Sequence, residues 1–356
     1  MDENVAGGSI RHRVCARIGL LGNPSDAYFG RTLALSISNF WASVALKPSS
    51  IIVFEPHPYH DLCSFTSLEQ MVVRVQAEGY YGGVRLLMAA CKTFYAYCSS
   101  HGIQLHDKNF TLSYDTNIPR QAGLSGSSAI VCATINCLLE YYGVNDHVKM
   151  EDRPRIVLSA EEALGITAGL QDRVAQVYGG LVYMDFEKDH MQRTGNGIYT
   201  PLDPSLLPPL YIIYAENPSD SGKVHSTVRR RWLEGDQFIH SRMCEVADLA
   251  VKGRAALSEH DYDILAKLMN MNFDLRRQIF GDDALGETNI KMVETARSVG
   301  AACKFTGSGG AAVAFCPDGA AQVKQLMEAC EKAGFKVELA VVAPPIVKSL
   351  QTNSCP

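Results

Sequence analysis

The 356-residue chain has two tryptophans, no Cys-x-x-Cys pair among eleven cysteines, no basic block and no apolar run of membrane-spanning length. Each absence excludes something. An odd, scattered set of cysteines without close pairing does not make a disulfide framework, and predicts reduced thiols in a cytoplasmic protein. With 33 Lys and Arg against 38 Asp and Glu, the net charge is −5, so no nucleic-acid partner is expected. No membrane partner is expected either. The opening Met1-Asp2-Glu3-Asn4 lacks the basic-then-apolar shape of a signal peptide. His57 and His60 have no third ligand at zinc spacing. The Gly-Lys-Ser/Thr ending of a P-loop is also missing.

What is present describes an ordinary globular protein, 47% hydrophobic and 20% charged. A chain of this length exceeds the commonest single core, so two domains of roughly 150–200 residues are expected. Pro201, Pro204, Pro208 and Pro209 mark the expected linker. The division is therefore drawn at 1–205 and 206–356, with residues 1–10 as a polar leader. Strands are expected around 14–21, 110–115, 181–186, 210–214, 311–315 and 337–342, with a β pair formed by 39–46 and 51–54 about Lys47-Pro48. Helices are expected around 84–98, 129–142, 154–164, 224–280, 287–299 and 320–333. Asp152 is expected to cap the third of these. Without regular βαβ alternation, the fold class is α+β in two domains.

The stretch Ile118-Pro119-Arg120-Gln121-Ala122-Gly123-Leu124-Ser125-Gly126-Ser127-Ser128-Ala129 links a strand to a helix. Its glycines let backbone approach a phosphate, and the helix start offers free N–H groups and a positive dipole end. The same cluster serves equally as a polar N-cap. Arg17 lies in an apolar strand, so it needs an anionic partner or forms an anion site. Glu161 and Asp172 stand eleven residues apart, and Lys304 to Gly310 makes a second glycine-rich turn. Phosphoryl transfer requires donors around phosphates, a carboxylate and hydroxyl for magnesium, and a group orienting the attacking hydroxyl.

In this order, Arg17 to Asn23, Pro119 to Ala129 and Lys304 to Gly310 resemble the three motifs of the GHMP kinases. Within that family, Ile118 to Ile130, Gly169 to Gly180 and Glu216 to Lys223 resemble the glucuronokinase group. The resemblance implies an N-terminal ribosomal-protein-S5-like domain and a C-terminal ferredoxin-like domain, with the active site in the cleft between them. It implies ATP-dependent phosphorylation of D-glucuronate at the anomeric hydroxyl, with ATP as co-substrate and Mg2+ as cofactor. It assigns Asp172 and Arg17 to catalysis and Arg120 to Ala129 to the ATP phosphates. Asp26, Gly307, Ser308 and Gly309 fall to the substrate, and Glu161 to magnesium with Ser127 or Ser128, Ser128 being favoured. A kinase for a neutral sugar or heptose phosphate, or a non-catalytic ligand sensor, are the alternatives. Arg31, Arg120 and Lys223 are the candidates for the substrate carboxylate, and the oligomeric state is not legible.

Overall fold

The computed structural model describes residues 8–78, 82–166, 168–215 and 225–346. In chain order the elements begin with β1 (Ile10–Leu21), β2 (Arg31–Ser49), β3 (Val53–Phe54), α1 (Leu68–Glu78), α2 (Val84–Ser100) and β4 (Asn109–Thr116). There follow α3 (Gly126–Tyr141), α4 (Arg153–Glu162), α5 (Gln171–Tyr178), β5 (Leu181–Asp185), α6 (Lys188–Thr194), β6 (Ile198–Leu202) and β7 (Leu210–Tyr214). The remainder comprises α7 (His225–Leu233), α8 (Gln237–Ser258), α9 (Tyr262–Phe280), α10 (Asp282–Leu285), α11 (Glu287–Ser298), β8 (Ala302–Phe305), β9 (Ala311–Phe315), α12 (Ala320–Ala333) and β10 (Lys336–Leu339). The class is α+β.

The chain forms two compact units that are not consecutive halves. One contains the start of the chain to Val14, Trp41–Asn117 and Ser127–Ile166; the other contains Cys15–Phe40, Ile118–Gly126 and everything from residue 167 onward. The long strand β2 belongs to both. Its end pairs antiparallel with β4 in the first unit, Ala42 opposite Thr116 through Ser49 opposite Asn109. Its start pairs with β5 in the second, Arg31 opposite Asp185 through Leu35 opposite Leu181.

In the first unit α3 is buried nearly all round, as a helix apolar on every face must be. In the second, β10, β7, β9 and β8 form an antiparallel sheet in that order. Helices α9, α11 and α12 cover it through Phe273, Met292, Val293, Leu326 and Cys330 packed on Ile213, Phe305 and Ala312. Burying such side chains contributes about 1.5–3 kcal/mol each before entropy is charged against it.

Two local expectations are corrected. Residues 39–46 and 51–54 do not pair with each other. Strand β2 runs on through Pro48, which stands opposite Phe110 near the strand's end, and β3 instead pairs parallel with β4, Val53 opposite Thr111. A proline is tolerated in a strand where its missing N–H is not required. Asp152 precedes α4 but caps nothing with its side chain; its carboxylate accepts from the Tyr97 hydroxyl at 3.3 Å. The proline-rich stretch around 201–209 includes β6, paired with β5, and a short 3-10 turn at Pro204–Leu206. Seven residues of the expected leader, 1–7, lie outside the described residues, as do Glu216 to Lys223.

Candidate active site

The second unit brings Arg17, the 118–126 loop, Asp172 and the 306–310 turn together. Arg17, on β1, is only 4% exposed. Its Nε donates to Asp172 Oδ1 at 2.6 Å and its Nη2 to Asp172 Oδ2 at 2.7 Å, a bidentate fork. Its Nη1 donates to the Gly123 and Thr306 carbonyls, at 2.7 and 3.1 Å. The guanidinium thus ties one carboxylate to both glycine-rich segments.

Asp172 occupies the first turn of α5, where the helix dipole favours an anion. The Ser125 hydroxyl donates to its Oδ2 at 2.6 Å, and Arg173 Nη1 stands 3.5 Å from the same oxygen. Burial pushes this carboxyl up, but the charge and hydrogen bonds of Arg17, then Arg173 and Ser125, outweigh it and hold it well below the usual carboxylate range. The Asp172 side chain keeps 22% of its surface exposed, so a carboxylate with three directed donors remains accessible.

The loop backbone is unusual in alternation. Gln121, Gly123 and Ser125 all have positive φ, at 56°, 64° and 63°. A run of residues alternating in this way turns successive N–H groups toward one concavity, which suits an anion. Gly123 is required on two counts, since a Cβ there would stand 2.1 Å from the Gly309 carbonyl oxygen. Gly307 is hemmed in similarly by the Gly123 carbonyl and the Arg17 guanidinium, at 2.6 and 2.7 Å from its notional Cβ. The Thr306 hydroxyl donates to the Gly123 carbonyl at 3.1 Å, and Gln176 Nε2 to the Ser125 carbonyl at 2.9 Å. Ala122 and Leu124 are buried, while Arg120 and Ser308 are half-buried.

Asp26 lies in a 3-10 turn, Ser25–Tyr28, and its Oδ2 accepts from the Gln171 N–H at 3.1 Å. Burial, and then the charge of Asp172, raise its pKa to about 6. Lys304 is buried beside the same segment, its Nζ donating at 2.7 Å to Gly19 O, Asn23 Oδ1 and Phe305 O. These acceptors are uncharged, and burial, with repulsion from Arg276 and Arg17, depresses its pKa strongly.

In the first unit, Glu161 is fully buried at the end of α4, and the Ser127 hydroxyl donates to its Oε1 at 2.7 Å. Glu162 turns outward to Arg155 at 3.9 Å. Ser128 and Ala129 are buried in the first turn of α3. Lys304, Thr306 and Gln176 were read from sequence only as parts of motifs, with no role of their own, and Arg276 was not singled out. A lysine and an arginine inside otherwise apolar elements were the available signal.

A model of the GHMP kinase N-terminal domain matches residues 85–180, and one of the GHMP kinase C-terminal region matches 254–336. The chain is 66% identical to glucuronokinase 1 of Arabidopsis thaliana over 96% of its own length and 94% of that protein. It is 63% identical to the probable glucuronokinase 2 of the same plant over the same shares. Among solved structures, Lactococcus lactis galactokinase in complex with galactose shares the fold at TM-score 0.72 and 16% identity, over 96% of this chain and 95% of that one. The mevalonate kinase of L. major in complex with R-mevalonate does so at TM-score 0.66 and 18% identity, over 96% and 99%. With both family regions matched and close relatives spanning nearly its whole length, the chain belongs to the GHMP kinase family.

Proposed function

We propose that this chain is an ATP-dependent sugar-acid 1-kinase, converting ATP and D-glucuronate to ADP and D-glucuronate 1-phosphate, a precursor for UDP-glucuronate salvage. The observation that carries the reading is the 66% identity with glucuronokinase 1 over 96% of the chain. The anomeric oxygen attacks the γ-phosphorus, the bond to the β-phosphate oxygen breaks, and the hydroxyl proton passes to Asp172. A carboxylate held so far toward its anion is a weak base. Its part is to orient the hydroxyl and take the proton late, which suits a loose phosphoryl transition state. Arg17 holds that carboxylate in place, and the 120–129 segment receives the ATP phosphates. Asp26 accepts from sugar hydroxyls, and Gly307, Ser308 and Gly309 shape the substrate side.

The family uses ATP with a divalent metal, and magnesium fits the residues present. Magnesium takes one or two carboxylates and otherwise phosphates and water. Among the described residues no group of three or more His, Cys, Asp or Glu is arranged to hold a metal unaided. Buried Glu161 with a serine hydroxyl of the α3 start meets the smaller requirement. Resemblance points to Ser128 and the hydrogen bond to Ser127. When bound, the ion would offset charge on the phosphates.

The division at 1–205 and 206–356 is kept as the domain reading, since the two family matches fall on either side of it. A cytoplasmic location belongs to the same reading; the ten cysteines among the described residues are all free. No helix among those residues is long and apolar enough to cross a membrane. The test is a panel of sugars incubated with the purified protein and MgATP, with the product read by phosphorus NMR. Phosphate on C1 of glucuronate is the expected result; activity on galactose with none on glucuronate overturns it.

A further inference from the structure

A sugar acid brings a carboxylate into the site, and most cations around Asp172 already have directed partners. Arg17 is spent on Asp172, Gly123 and Thr306. Lys304 holds three oxygens, and Arg173 donates to the Gly169 carbonyl at 2.9 Å. Arg31, a candidate from sequence, is paired with Asp185 at 2.8 Å on a half-exposed surface.

Arg276 is different. It lies on the inner stripe of α9 with Leu265, Met269, Asn272 and Ile279, and is 3% exposed. Its Nε is buried without a hydrogen-bond partner, and no ion pair reaches the guanidinium among the described residues. Aromatic rings flank it, with Cζ 5.1 Å from the Phe280 centroid and 5.7 Å from Phe305. One turn earlier, Asn272 anchors the same helix face to the turn that leads into Asp26. Its Oδ1 accepts from Gly22 N–H at 2.8 Å, and its Nδ2 donates to the Asn23 carbonyl at 3.1 Å. Arg276 lies within electrostatic reach of Arg17 and Asp26.

Burying a guanidinium without an anion is strongly unfavourable. In this cluster Arg17, Arg173 and Arg276 outnumber the two carboxylates, Asp172 and Asp26, and buried Lys304 beside them adds no negative charge. The fork of an arginine matches a planar carboxylate in two parallel hydrogen bonds, which an ammonium cannot reproduce. We propose that Arg276 binds the carboxylate of the sugar substrate and so sets the preference for a sugar acid over a neutral sugar. The proposal rests on the sugar-acid kinase reading above.

The experiment compares glucuronate with glucuronamide, whose C6 group is uncharged, in the wild type, Arg276→Gln and Arg276→Lys. Wild-type turnover of glucuronate tests the functional reading by itself. In Arg276→Gln the preference for glucuronate over glucuronamide in kcat/KM is expected to fall at least about 30-fold, the size of a lost charge-assisted pair. The KM for MgATP is expected to stay within about twofold, since no phosphate contact is removed. Arg276→Lys keeps the charge and guards against a folding defect in the first variant; it is expected to recover part of the preference. Glucuronate is also expected to raise the melting temperature of the wild type but not of Arg276→Gln, while MgATP protects both. An unchanged acid-to-amide ratio in either folded variant, or a rise in the ATP KM matching that for glucuronate, overturns the proposal.

Discussion

Arg17 and Asp172 meet in a bidentate ion pair at 2.6 and 2.7 Å although 155 residues separate them in the chain. The pair fixes both oxygens of the carboxylate, and Ser125 adds a third donor. The remaining acceptor capacity of Asp172 is therefore directed rather than free to rotate.

Asp172→Asn removes the proton acceptor and half of the fork. Phosphorylation is expected to fall by about 10³-fold, within the range for a lost general base. ATP affinity, measured by calorimetry, is expected to change little, because the 120–129 backbone is untouched. The melting temperature should drop too, since an unpaired buried guanidinium costs about 3–5 kcal/mol. Substantial residual turnover in a folded variant would show that positioning and electrostatics suffice without this carboxylate.

Asp26 offers a pH signature. Its pKa is raised from 3.8 to about 6, so the folded state binds its proton more tightly than the unfolded chain does. That contribution is fully present below the unfolded pKa and is lost as pH rises through about 6. Asp26→Asn is neutral throughout and keeps an acceptor for the Gln171 N–H. Its stability gain over wild type is expected to grow between about pH 4 and 6, then level at about 3 kcal/mol or less. Paired thermal melts from pH 4 to 8 read this directly; a gain independent of pH would remove Asp26 as the titrating group.

Local chemistry made much of this molecule legible. The strand at 311–315 and the helix at 320–333 follow from apolar patterning bounded by glycine and proline. The helix-opening loop and Asp172 at a helix start were visible for the same reason. What depends on distant segments was not. Lys47-Pro48 read as a turn because nothing in those residues announces that β4 supplies hydrogen bonds across from them. Arg276 stayed hidden because a lone arginine on an apolar helix face gives no clue to which charges the fold sets around it. Which serine stands on Glu161 was equally illegible, because Ser127 and Ser128 are adjacent and only the fold directs the Ser127 hydroxyl to Oε1.

That hydrogen bond separates the two serines experimentally. Ser127→Ala removes the hydroxyl that donates to Glu161 Oε1. The magnesium concentration for half-maximal activity is expected to rise about tenfold or more, in line with losses at residues supporting a metal ligand. Ser128→Ala is expected to have the smaller effect, and manganese binding followed by electron paramagnetic resonance gives the same comparison without turnover. A larger effect at Ser128 would return the metal hydroxyl to the serine expected from resemblance.

The two loop glycines make opposite predictions from adjacent chemistry. At Gly123, φ is +64° and a Cβ would fall 2.1 Å from the Gly309 carbonyl oxygen, with backbone on both sides. Neither partner is the end of a flexible side chain, so Gly123→Ala must displace the loop or the 306–310 turn. The left-handed conformation alone costs about 1–2 kcal/mol for an L residue, and the collision adds to it. Because the Gly123 carbonyl also accepts from Arg17 Nη1, a displaced loop pulls on the guanidinium that holds Asp172. Weaker ATP binding and lower kcat are therefore expected together. Gly126 begins α3 with ordinary φ, and a Cβ there meets only the Ile118 side chain at 3.3 Å. Gly126→Ala exchanges a poor helix former for a good one and is expected to shift stability by no more than about 1 kcal/mol. Thermal melts and ATP titrations of the two variants side by side check the contrast. Equal behaviour would mean that loop geometry, and not merely its glycine content, has no bearing on nucleotide binding.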